Sequence, residues 1–78
     1  MEMNEFIKKF ENIFEDSSLL NLAPSTLFHD LNEWSSLSTL SLIAMVDEEY
    51  GVEIEPEDIM NAQTVKDLYN IIKSRNEL

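Results

Sequence analysis

The chain has 78 residues, 16 acidic and 5 basic, for a formal net charge of −11. That length makes one domain with a modest core, and the charge excludes a nucleic-acid surface or an anionic membrane face, both of which need Lys and Arg. Hydrophobic residues make up 44% and cysteine is absent, which excludes a disordered acidic tail, a disulfide and a thiolate metal site.

Met1-Glu2-Met3-Asn4-Glu5 is acidic and lacks the apolar run of a secretory leader, so the expected compartment is the cytoplasm. Phe6, Ile7, Phe10, Ile13 and Phe14 fall at helical spacing and predict an amphipathic helix over 4–15. Asp16-Ser17-Ser18 breaks the pattern, and Pro24-Ser25-Thr26 opens a short turn within a long segment reaching Trp34. Leu19, Leu20, Leu22, Leu27, Phe28 and Leu31 are apolar enough to pin that segment to a core. Long pinned loops in small domains are more often functional than idle.

A second helix follows over 37–50. Ser35 suits its N-cap, and Gly51 suits a left-handed position just past its end. It carries two apolar stripes. Thr39, Leu42, Ile43, Val46 and Tyr50 form one; Leu37, Leu40 and Ala44 form the other, with Glu48 continuing its line. Only one stripe can face the core of so thin a bundle, which leaves the second as a contact surface. Segment 52–54 is too short to predict a strand. Pro56-Glu57-Asp58 suits a helix start, with Ile59 and Met60 expected to face inward. Thr64-x-x-Asp67 resembles a capping pair, and Val65, Leu68, Tyr69 and Ile72 give a last helical face. The expected architecture is an all-α, small four-helix bundle, with three main helices, one short helix and a long first loop, in a single domain over 1–78.

Ser36 stands where the irregular segment gives way to the second helix. A helix N-terminus offers unpaired N–H groups and the positive end of a macrodipole, a favourable field for a phosphate esterified there. From Ser35-Ser36 alone the residue reads as an ordinary helix-terminal serine. The rest of the chain changes that reading. Phe28-x-x-Leu31-x-x-Trp34-x-Ser36-Leu37, then Leu42-Ile43-x-x-Val46-Asp47-Glu48-Glu49-Tyr50-Gly51-Val52-Glu53-Ile54, then Thr64-Val65-x-Asp67-Leu68 together resemble the acyl carrier protein family over essentially the whole length.

The resemblance implies that a phosphopantetheinyl transferase moves 4′-phosphopantetheine from coenzyme A onto Ser36. The arm's thiol then carries an acyl group as a thioester between enzymes of fatty acid, lipid or polyketide-type biosynthesis. The chain itself needs no catalytic residues. Implied partners are acyl-transferring, condensing or ligating enzymes with basic patches, contacting Leu37, Leu40, Ala44, Asp47 and Glu48. Leu42, Ile43, Val46, Ile59 and Leu68 would line an acyl pocket. Repulsion between chains favours a monomer. Two departures from the family's pattern stand out. Ser35 replaces the Asp that usually precedes the modified serine, and Ser38, Thr39 and Ser41 occupy positions where fatty-acid members often carry acid. An aminoacyl or peptidyl carrier, or an unmodified acidic interaction module, are the competing readings.

The remaining polar residues read more plainly. Ser17 and Ser18 are loop residues. Glu53, Glu55, Glu57 and Asp58 match no EF-hand spacing and suit weak counterion binding, so no metal site is expected. His29, the single histidine, lacks a partner for catalysis or ligation and reads as a loop residue.

Overall fold

The computed structural model describes residues 2–15 and 20–76; the expectations for Ser17, Ser18 and Leu19 lie outside them. Four helices run in chain order: α1 (Met3–Glu11), α2 (Ser36–Tyr50), α3 (Pro56–Asn61) and α4 (Val65–Asn76), with a 3₁₀ turn at Phe28–Asp30 inside the long loop. This is the expected small all-α bundle.

The α1 ladder stops earlier than the periodicity predicts. Beyond Asn12 the bonds tighten to the 3₁₀ pattern, with Ile13 N–H donating to Phe10 O and Phe14 N–H to Glu11 O, each at 3.2 Å. The overwound turn still delivers Phe14 to the core and packs Ile13 against it, which is why the apolar spacing outlasts the helix. Phe6 and Phe10 are fully buried.

The loop is pinned as expected, though not by every apolar residue. Leu22 and Phe28 are buried, and Leu20 and Leu31 pack partly against the core. Leu27 remains half exposed, because its contribution is backbone pairing with Thr64. Thr26 N–H donates to Ala23 O at 3.0 Å, and Ala23 N–H to Thr26 Oγ1 at 2.8 Å, forming the turn at Pro24. The same loop takes the orphan donors of α4: Val65 N–H reaches Thr26 O and Lys66 N–H reaches Pro24 O.

Val52 and Ile54 are both buried in an extended connection that joins no sheet. In α3, Ile59 faces inward but Met60 does not; it is 73% exposed. Successive helical residues diverge by about 100°, so both cannot share one face, and the next inward side chain is Ala62. Thr64 and Asp67 cap α4 reciprocally. Asp67 N–H donates to Thr64 Oγ1, and Thr64 N–H to Asp67 Oδ2, each at 3.1 Å. Hydrogen bonding from the Thr64 and Gln63 amides holds the Asp67 carboxyl below its ordinary pKa. Val65, Leu68 and Ile72 give α4 its buried face.

Candidate functional site

Trp34 sets where α2 begins. Its ring meets Phe28 at 5.0 Å between centroids, Phe10 at 6.4 Å and Phe14 at 6.5 Å. These contacts tie the end of the loop to α1, and two residues later the helix starts.

Ser35 is the N-cap, with extended dihedrals of φ −151° and ψ 176°. Its Oγ accepts from Ser38 N–H at 3.4 Å, while Ser35 N–H donates to Ser38 Oγ at 3.1 Å. This is a capping box in which a serine takes the place of the usual Glu or Gln. Ser38 is buried, and its hydroxyl also donates to Glu33 O at 3.3 Å. Sequence reasoning treats Ser38 only as a missing acid; the Ser-x-x-Ser spacing at the helix start is the signal for its actual place. At the other end Gly51 adopts φ 65° and donates to Asp47 O at 2.9 Å, as a left-handed cap requires.

Ser36 is the first helical residue and is exposed. Among the described residues no protein group bonds its hydroxyl, whereas those of Ser35 and Ser38 are committed to the cap. The first ladder bond at this end runs from Thr39 N–H to Ser35 O, so the amides of Ser36 and Leu37 lie ahead of the ladder. No charged side chain occupies the first turn. The site therefore presents an uncommitted hydroxyl and a positive dipole end to solvent.

The two stripes of α2 separate as expected. Leu42 and Val46 are fully buried, with Ile43 packed partly against the core. Leu37 and Leu40 are 70% and 63% exposed, and Ala44, Asp47 and Glu48 are exposed with them. Ser36, Leu40, Ile43 and Asp47 share one face by helical register. Down that face, about 10 Å from Ser36 along the axis, a cleft of about 330 Å³ opens between Ile43, Ala44, Asp47, Ile54 and Pro56. Ile59 and Leu68 are core residues that do not line it, 1% and 0% exposed.

Two charged ties, Lys9–Glu49 and Arg75–Asp58, join residues 40 and 17 positions apart and leave no local signal in the sequence. Lys9 bonds Glu5 at 2.7 Å and Glu49 at 3.2 Å, with its ammonium 4.8 Å from the Tyr50 ring centre; these contacts join α1 to the end of α2. Arg75 grips Asp58 through both guanidinium arms, one at 2.7 Å. That pairing lowers the Asp58 pKa and commits one of the four carboxylates considered for counterions. Among the described residues no group of three or more His, Cys, Asp or Glu is placed to hold a metal ion, and no helix is long and apolar enough to cross a membrane.

Residues 10–72 match the phosphopantetheine attachment site family. The chain is 32% identical to an acyl carrier protein of Thermosynechococcus vestitus, with 96% of each chain covered. It is 29% identical to an acyl carrier protein of Coprothermobacter proteolyticus, covering 95% of this chain and 94% of that one. No solved structure gives a significant match. An exposed serine at the head of an acidic four-helix bundle, inside a match spanning most of the sequence, makes this chain a member of the phosphopantetheine-carrying acyl carrier protein family.

Proposed function

We propose that Ser36 is the attachment residue and that the exposed face of α2 presents the cargo to partner enzymes. The observation that carries this reading is the state of the hydroxyls at the head of α2. Those of Ser35 and Ser38 are bound into the cap, and that of Ser36 is exposed and has no partner among the described residues. A phosphodiester at Ser36 fits this place, because the amides of Ser36 and Leu37 and the helix dipole favour negative charge and no carboxylate occupies the turn.

4′-Phosphopantetheine supplies the thiol on which an acyl group is held as a thioester; the chain has no cysteine of its own. What the chain adds is placement. Leu37, Leu40 and Ala44 offer an apolar strip, and Asp47 and Glu48 flank it with charge that draws a basic partner surface. The chemistry is left to those partners and to the phosphopantetheinyl transferase that loads Ser36. Leu42, Ile43, Val46, Ile59 and Leu68 form the interior that would shelter an acyl chain, entered from the cleft over Ile43. Each methylene moved there from water gains about 0.8 kcal/mol, offset by the cost of parting a packed core.

Incubation with coenzyme A and a broad-specificity transferase, followed by intact-mass measurement, tests the assignment. The expected result is one phosphopantetheine per chain, lost in Ser36→Ala with helicity unchanged. Modification that persists in Ser36→Ala, or no gain with several transferases, refutes it.

A further inference from the structure

We infer that His29 is the catch that holds α3 in its closed position, and thereby a positioning residue for cargo entry. Its part in cargo entry rests on the carrier reading, whereas the catch itself is a property of the bundle.

Six residues make fewer than two turns, too few to persist as a helix without tertiary support. α3 is held by one inward side chain, Ile59, and by polar ties at its two ends. At the first end, Asp58 takes both Arg75 and the Glu55 amide, the latter at 2.7 Å. At the second end, helix carbonyls run out of ladder partners. There His29 Nε2 lies 2.9 Å from Ile59 O and 3.1 Å from Ala62 O. Carbonyl oxygens only accept, so Nε2 carries the proton, and it does so whether the ring is neutral or charged.

His29 is an exposed residue whose ring is seated on aromatic neighbours. The imidazole lies against Phe28, with ring centres 4.3 Å apart, and edge-on to Trp34 at 5.3 Å. Phe28 is fully buried. The ring thus stands on the core and grips α3 purely through backbone oxygens, independently of the side chains α3 carries. Its grip lies at the opposite end of α3 from Pro56 and the cleft over Ile43. Swinging α3 outward to uncover Ile59, Leu42 and Leu68 must break this bond or the one to Arg75. The Arg75 pair is solvent-exposed and weakened by salt; the His29 bond is not an ion pair.

Amide hydrogen exchange on the unmodified chain tests the catch, with two substitutions that separate ring from donor. His29→Phe keeps a ring on Phe28 but has no N–H. The amides of Met60, Asn61 and Ala62 should then exchange roughly three- to tenfold faster, the worth of one net hydrogen bond. Those of Phe10 and Val46 should stay near wild type. His29→Gln restores a donor and should recover most of the protection. Uniform acceleration across α1, α2 and α4, no change at α3, or a Gln variant no better than Phe would each overturn the inference. In octanoyl-loaded chains, the gain in melting midpoint over the holo form should be larger for His29→Phe than for wild type; equal gains would remove the role in cargo entry. A chain that fails to load at Ser36 defeats the attachment reading alone, since the exchange measurement needs no arm.

Discussion

Removing the Ser38 hydroxyl is the sharpest test of how the head of α2 is built. Ser38→Ala deletes the acceptor for Ser35 N–H and the donor to Glu33 O, bonds of 3.1 and 3.3 Å at a residue only 7% exposed. Each such bond is worth about 1 kcal/mol net. Alanine returns about 0.5 kcal/mol through its better helix propensity. The net loss is about 1.5 kcal/mol, and at 4–8 °C per kcal/mol for a domain of this size the midpoint should fall by about 6–12 °C. Thermal unfolding followed by far-ultraviolet circular dichroism measures this directly. Ser36→Ala is the control: its hydroxyl makes no bond within the described residues, so its midpoint should not fall. A Ser38→Ala midpoint within about 2 °C of wild type would mean that Ser35 caps the helix unaided, and that the reciprocal box contributes nothing.

Ser35→Asp should leave stability nearly unchanged, since both residues cap well, while raising the rate of transferase loading at Ser36 if partners read the carboxylate; equal rates would discard that explanation. Tyr50 has a buried hydroxyl with no hydrogen-bond partner among the described residues, and burial raises its pKa. Tyr50→Phe removes an unsatisfied polar group and should be at least as stable as wild type by chemical denaturation; a lower midpoint would show a partner for the hydroxyl. Arg75 lowers the Asp58 pKa. A depressed folded-state value stabilises above the unfolded pKa of about 3.9, and that stabilisation is lost as pH falls through the lower folded value. Stability should therefore drop less steeply below about pH 4 in Asp58→Asn than in wild type; parallel curves would deny the pair any role.

What could be read from the chain was what depends on neighbours in sequence. Ser35, Ser36 and Gly51 mark the ends of α2 through capping chemistry that acts within four residues. The two stripes follow from helical period, and Leu37 and Leu40 emerge exposed because Leu42 and Val46 already fill the single core face. The inward expectation for Met60 fails because the 100° step from Ile59 forbids the two side chains a common face. His29 and Ser38 escaped for different reasons. The carbonyls that His29 holds lie 30 and 33 residues away, and nothing in their side chains signals a backbone acceptor. Ser38 belongs to a legible spacing, but a serine in the Glu position of a capping box is easily passed over. The Lys9–Glu49 and Arg75–Asp58 pairs are also non-local: with 16 acids available to 5 bases, composition leaves the choice of partner to the tertiary fold.

Trp34 is the chain's single tryptophan, half-buried between Phe10, Phe14, Phe28 and His29 and two positions ahead of Ser36. The protein consequently comes with its own fluorophore, seated where the long loop, Ser36 and His29 converge. Emission colour and lifetime from that indole give an unlabelled optical readout of events at the head of α2, with no second tryptophan to dilute the signal.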